Sequence, residues 1–446
     1  MVTPRRYSPL GITLALALAA ASPALAQPAE GAPAQEAPGE SGTDLAGLGD
    51  TALIETLLGA GEVSADLFAE SFLAQVPLEQ IRALLADLRA TMGDPVSVTG
   101  AGMEFTARSA THVMAVTMVR DATGRIAGLF FGAPDATSRG PEDILEDIGA
   151  LAPQAAWLVT RDGAVLHAQN AGEALAVGSA FKLGILKALM ESIEAGNLSW
   201  NDVHRLDARR RSLPTGILQT FPHNAPVTLH TLAALMISQS DNTATDALMG
   251  VVGRDAVGEA LGLTAPITTR ELFVLKADAE LRADYLALDE DDEEGREALF
   301  ARVAEAPLPG AIDIMGAHNP GVEWYLSLET LCALMDDVAA SDVFSINPGP
   351  VRAADWESVA YKGGSETGVL NLTTRLVAET GETYCVAMTL NAPEAIDEAT
   401  AIALYGALTT RLAAPEPAVS DAESSSDAES ISEAESISEA ESISEE

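Results

Sequence analysis

The stretch Val177-Gly178-Ser179-Ala180-Phe181-Lys182 opens an apolar run, Leu183, Leu186, Leu189, Met190 and Ile193, that ends towards Gly196. Apolar residues at that spacing predict a helix with a buried face. Ser179 and Lys182 lie three apart at its head, so both side chains share one face. A serine hydroxyl is a weak nucleophile until a base removes its proton, and a lysine one turn on can take part in that. The positive end of the helix dipole disfavours a protonated lysine and favours an alkoxide or oxyanion. A Ser-Lys pair at this spacing is common by chance, so its weight depends on what else the chain offers.

The 446 residues, 48% of them hydrophobic, are enough for two or three domains with real cores. The start reads as a secretory signal over 1–26: Arg5 and Arg6, an apolar stretch from Gly11 to Ala21, and the small-x-small site Ala24-Leu25-Ala26. That stretch is too short for a membrane helix. With no cysteine after the site, no lipid anchor is expected, and the protein is expected to be exported to the periplasm or beyond. Residues 27–50, rich in Ala, Pro, Gly and Glu, read as a disordered linker. A net charge of −41 repels nucleic acid and anionic membranes. Cys332 and Cys385 could pair in an oxidising compartment; two separate buried thiols is the plainer expectation. Two cysteines and scattered histidines fall short of a zinc site, so no metal or cofactor is expected.

Residues 51–134 read as a small α+β domain. Helical spacing covers Ala65 to Phe72 and Leu78 to Ala90, and strands follow at Pro95 to Thr99, Met103 to Arg108, Val113 to Arg120 and Arg125 to Phe131, the last two joined by a turn at Asp121-Ala122-Thr123-Gly124. Residues 135–150 read as a linker with a short helix at Asp143 to Leu151, and 151–414 as a larger domain opened by a hairpin about Arg161-Asp162-Gly163. The six-acid run Asp289 to Glu294 reads as a solvated loop, and the acidic repeat of 415–446 as a disordered tail.

Two further stretches give the Ser-Lys pair its weight. In Ser240-Asp241-Asn242, Ser240 offers a hydroxyl that can relay a proton to a leaving group, and Asn242 an amide that can bind a substrate carbonyl and a lysine together. Alone, the tripeptide reads as a helix cap. In Tyr361-Lys362-Gly363-Gly364-Ser365, a lysine entering a strand beside two glycines leaves room for close approach of a ligand; alone, this reads as a glycine-rich turn. Val369 to Ala378 and Tyr384 to Asn391 follow as strands about a turn near Gly381.

Together the three stretches resemble the Ser-x-x-Lys, Ser-Asp-Asn and Lys-Thr-Gly signature of class A serine β-lactamases and penicillin-binding proteins, in the right order, with separations of 61 and 122 residues. The resemblance extends to a subgroup that joins an NTF2-like (SnoaL- or cystatin-like) domain to a class A β-lactamase-like domain, similar to the clavulanate-cluster protein of that architecture. It implies the DD-peptidase/β-lactamase fold, an antiparallel sheet flanked by helices with an all-helical part. It also implies roles: Ser179 as the acylated nucleophile, Lys182 as its base, Ser240 as relay to the leaving group, Asn242 as orienter, and Lys362 as attractor of a substrate carboxylate. Gly364 and Ser365 would border the substrate, with the N–H groups of Ser179 and Ser365 as oxyanion hole. The implied substrate is a small β-lactam or related ester. A carboxylesterase, a D,D-peptidase and a sensor that acylates without turnover are the alternatives.

Two departures stand out. Gly363 replaces the threonine, and Ser365 is the candidate to supply the missing hydroxyl. The Glu-x-x-Leu-Asn loop, whose glutamate activates the deacylating water, corresponds to Thr268 to Lys276; aligning Leu275 puts Leu272 at the glutamate and Lys276 at the asparagine. Glu271, one residue off, is the candidate base, or else a surface carboxylate paired with Arg270 or Arg282.

Overall fold

The structure, a computed structural model, describes residues 48–413 apart from 60–62, 94–95, 110, 133, 137–138, 290–291, 311–313 and 315–320. The expected signal, linker and acidic tail lie outside the described residues, save for the last positions of the linker.

Residues 50–136 form α1 (Asp50–Leu58), a short 3-10 turn Ala65–Leu67, α2 (Glu70–Leu73) and α3 (Leu78–Met92), then a sheet of β1 (Ser97–Ala101), β2 (Glu104–Arg108), β3 (His112–Arg120) and β4 (Ile126–Phe131). The four strands run as an antiparallel meander, and β5 (Asp135–Ala136) pairs with β3. Ile81, Leu85, Leu88 and Met92 bury one stripe of α3 against Phe105, Met114 and Val116 of the sheet. The expected helix over Ala65 to Phe72 is broken: Phe68 bridges Ile126, and the Ala69 N–H donates to Ile126 O at 2.9 Å. Partners across the sheet outcompete the local helical spacing there. α1 carries no signal that the helical spacing singled out.

The second sheet has the order β12-β13-β14-β6-β7, all antiparallel: β6 (Gln154–Arg161), β7 (Ala164–Gln169), β12 (Ser358–Glu366), β13 (Val369–Val377) and β14 (Thr383–Asn391). Its strands alternate between two cores, as a period of two requires. Trp157, Val159, Val386 and Met388 face α4 (Pro141–Gly149) and a helix Glu398–Ala413, whose Tyr405 and Leu408 complete that layer. Ala156, Leu158, Cys385 and Ala387 face the opposite, larger helical layer. That layer holds α5 (Lys182–Glu194), α6 (Leu229–Ser238), α7 (Asn242–Val252), α8 (Arg254–Leu261), α9 (Thr269–Ala277), α10 (Ala279–Leu286), α11 (Glu293–Glu305) and α12 (Leu328–Val338). The C-terminal helix is α13. Short ribbons β8 (Leu175–Ala176) with β11 (Tyr325–Leu326), and β9 (Val203–Arg205) with β10 (Pro226–Thr228), complete the frame.

Two expectations are corrected. Cys332 of α12 and Cys385 of β14 are bonded to each other, 53 residues apart, and are not separate thiols; the bond ties the helical layer to the sheet. The acidic run does not end as loop: Asp292 caps α11 by accepting from Gly295 N, and Glu293 and Glu294 lie in its first turn. Acids at that end meet the positive pole of the helix.

Candidate active site

Ser179 lies on a 3-10 turn, Gly178–Phe181, and Lys182 is the first residue of α5. Residues three apart eclipse on such a turn, so the pair shares a face more tightly than on an α-helix. The turn is pinned from both sides. Phe181 stacks on Trp324, ring centroids 3.7 Å apart and planes 6° apart. On the other side β12 passes so close that a Cβ on Gly364 would overlap Ser179 N and Val177 O. Only glycine permits that approach, which sets the Ser179 N–H beside the strand that carries the Ser365 N–H. Ser179 and Ser365 both line a cavity of about 540 Å³.

Lys182 is fully buried, and its Nζ reaches Ser240 O at 2.7 Å, Ser240 Oγ at 3.0 Å and Asn242 Oδ1 at 2.7 Å. Burial, with Lys362 nearby, holds its pKa well below the usual lysine range, although Asp246 and Asp241 pull the other way. Its Nζ donates to the Ser240 and Asn242 carbonyl oxygens and to Ser240 Oγ, while burial disfavours its charged form.

Ser240 sits between α6 and α7 with φ of 53°, a left-handed conformation that costs a non-glycine residue roughly 1–3 kcal/mol. Its neighbours hold it there. Thr215 Oγ1 donates to Ser240 O at 2.6 Å, and Asp241 caps α7 through Ala244 N while accepting from Ile217 N and Leu218 N. Asn242 Nδ2 donates to Leu213 O at 3.1 Å, which fixes its Oδ1 towards Lys182. The cap reading is therefore realised by Asp241, next to the Ser240 hydroxyl. Lys362, in mid-strand on β12, donates to Ser240 Oγ at 3.2 Å and to Gly363 O; burial lowers its pKa to about 7. The Ser240 hydroxyl thus sits between two lysines.

The space that a side chain on Gly363 would take is filled by the hydroxyl of Tyr361, which lines the cavity, and whose pKa burial pushes up to about 12. Ser365 is not among the groups nearest to that place.

Glu271 is corrected outright as candidate base. It closes a capping box with Thr268 at the head of α9, and Arg254 grips both its oxygens, at 2.7 and 3.0 Å. A residue at the third helical position reaches back to the cap, which here points away from the cavity. The surface alternative is corrected too: the partner is Arg254, while Arg270 and Arg282 donate to backbone carbonyls. Leu272 and Lys276 are the α9 side chains that line the cavity, along with Thr269 and Phe273. Lys276 is ion-paired with Glu323 and Glu366. Sequence reasoning did not assemble that trio. Its one legible trace is the period of β12, which puts Glu366 on the face shared by Lys362 and Gly364. Among the described residues, no group of three or more His, Cys, Asp or Glu is placed to hold a metal ion.

The model of the beta-lactamase enzyme family matches residues 143–300, a stretch that includes Ser179, Lys182, Ser240, Asn242 and α9. Among solved structures, a beta-lactamase from Sphaerobacter thermophilus is 20% identical, with 61% of this chain and 94% of that one covered and a TM-score of 0.43. A beta-lactamase from Chitinophaga pinensis is 17% identical, covering 61% and 98% with a TM-score of 0.43. PBP-A is 14% identical, covering 61% and 95% with a TM-score of 0.40. No curated protein matches. The five-stranded sheet between two helical layers, with the family match across its helical part, is the serine β-lactamase-like fold.

Proposed function

On this serine β-lactamase-like frame, we propose that the protein is a serine hydrolase that transfers an acyl group to water through an acyl-Ser179 intermediate. The observation that carries the reading is the buried Lys182, held between Ser240 and Asn242 one turn from Ser179. In this reading neutral Lys182 accepts the Ser179 proton as Oγ attacks the substrate carbonyl. Ser240, reached by both lysines, passes a proton to the departing nitrogen or oxygen. The N–H groups of Ser179 and Ser365 would meet the negative charge that develops on the carbonyl oxygen.

The substrate class is a β-lactam amide or a related ester. Leu272 stands at the place of the water-activating glutamate, so release of the acyl group from Ser179 is the slow step in this reading. Tyr361 and Lys362 are the groups nearest to hand for a substrate carboxylate. The reading includes export: the Cys332–Cys385 bond suits an oxidising compartment. It also keeps residues 51–134 as an NTF2-like scaffold.

Incubation with a penicillin and with p-nitrophenyl acetate, followed by intact-mass analysis, should show an adduct on Ser179 that is absent in Ser179→Ala. Parallel turnover of nitrocefin and p-nitrophenyl acetate separates amide from ester preference. If no acylating agent labels Ser179, the reading is wrong.

A further inference from the structure

An acyl-enzyme needs a base for its release, and Glu271 is turned away from the cavity. Two carboxylates do line it, Glu366 and Glu398. Glu398 comes from the first turn of α13 and not from β12. Glu366 lies two residues past Gly364, the glycine that abuts Ser179, and on the same face of β12. Two residues of strand span roughly 7 Å. Glu366 is thus offset from the Ser179 turn by about that much along β12, and both residues line the same cavity.

Glu366 is not a loose surface acid. Its Oε2 is bound by Lys276 Nζ, which also binds Glu323 Oε1. The Lys276 and Glu323 side chains are only 3% and 1% exposed, against 23% for Glu366. One buried cation therefore faces two carboxylates. The remaining oxygens, Glu323 Oε2 and Glu366 Oε1, are buried and have no donor among the described residues. A proton held between the two carboxyl groups satisfies both oxygens and neutralises the cluster with Lys276. Burial, then the neighbouring Glu366, raises the Glu323 pKa to about 9. Glu366 is the member that lines the cavity. Tyr325 of β11 also faces the cluster, and its hydroxyl accepts from Gly321 N at 2.8 Å.

We propose that Glu366, held by Lys276 and backed by Glu323, is the general base that activates the water releasing the acyl group from Ser179. The proposal rests on the acyl-Ser179 reading above. In the step, Glu366 takes one proton from the water as its oxygen bonds to the acyl carbon. The bond from that carbon to Ser179 Oγ then breaks, and the proton taken up by Glu366 is returned to Oγ, which leaves Glu366 as it began. The product is the free carboxylic acid, and the serine hydroxyl is restored.

The test compares wild type, Glu366→Gln and Glu271→Gln by the rate of Ser179 labelling and the lifetime of the adduct. Glu366→Gln should label within about twofold of wild type, while its adduct persists on the order of 10²-fold longer, the size of a general-base contribution. Glu271→Gln should release at the wild-type rate. Wild-type release in Glu366→Gln, or no release in wild type, overturns the role of Glu366 and leaves acylation by Ser179 standing. Absence of labelling in wild type defeats the acyl-Ser179 reading itself. If Glu366→Gln loses labelling, Glu366→Asp decides: labelling with slowed release supports the base, and loss of labelling there too makes the cluster structural.

Discussion

Lys182 Nζ lies 2.7 Å from Asn242 Oδ1 in a setting where the lysine is fully buried and Lys362 stands nearby. The amide is a neutral acceptor, so it orders the amine without adding the charge that would protonate it. Asn242→Asp replaces it with a near-isosteric anion, which raises the lysine pKa. A base must be unprotonated to act, so Ser179 labelling at pH 7 should fall, by about tenfold for each unit that the raised pKa stands above 7. It should recover towards wild type at higher pH. Labelling rates from pH 6 to 10 check this, and an unshifted profile would remove Lys182 as the base.

Gly364→Ala puts a methyl group into the backbone of the Ser179 turn. Neither side can yield cheaply, because Phe181 and Trp324 hold the turn and β13 holds β12. Overpacking of this kind costs about 1–3 kcal/mol. The larger effect should be on chemistry, since a shift of about 1 Å in reacting groups costs about 10²-fold in rate. Thermal melts and labelling rates together check it. A normal labelling rate in a fully folded Gly364→Ala variant would show that the close approach is dispensable.

What was legible in the sequence follows from what periodicity can encode. The strands β13 and β14 and the helical stripe of α3 show in residue type, and so do their approximate bounds, whereas the two glycines of β12 read as a turn. The motif residues were legible as a set because their order is itself a signal: Lys182, Ser240, Asn242 and Lys362 meet around one hydroxyl. Direction and partner were not. Glu271 and Leu272 are neighbours in the chain, and only the capping box decides which of them turns to the cavity. Lys276 finds Glu323 and Glu366 across 47 and 90 residues, and no local pattern marks such a trio. The hydroxyl missing at Gly363 comes from Tyr361, on the same strand but two residues earlier, because its ring folds across the glycine.

The Cys332–Cys385 bond closes a separation of 53 residues between α12 and β14. On the loop-entropy view a closed loop of that length stabilises the folded chain by about 4 kcal/mol. Neither cysteine lines the cavity. The double variant Cys332→Ala/Cys385→Ala should therefore melt several degrees lower, yet label Ser179 at the wild-type rate at 25 °C. Calorimetry and intact-mass labelling separate the two effects. An unchanged Tm would mean that packing alone holds α12 to the sheet.

Asp246 of α7 anchors α9, accepting from Thr269 N and Oγ1 at 2.8 Å and from Arg270 N at 2.9 Å. Burial outweighs these bonds and raises its pKa from 3.8 to about 6. A carboxyl group with a raised folded-state pKa adds stability that is fully present below its unfolded pKa and is lost as pH rises through its folded one. The window is therefore about pH 4 to 6, and its full span is worth about 3 kcal/mol for a shift of about two units. Asp246→Asn cannot titrate, though it loses one good acceptor towards Arg270 N. The Tm of wild type relative to the variant should be most favourable near pH 4 and decline towards pH 7. Paired thermal melts across that range check it, and a difference that stays constant with pH would mean that Asp246 is ionised throughout.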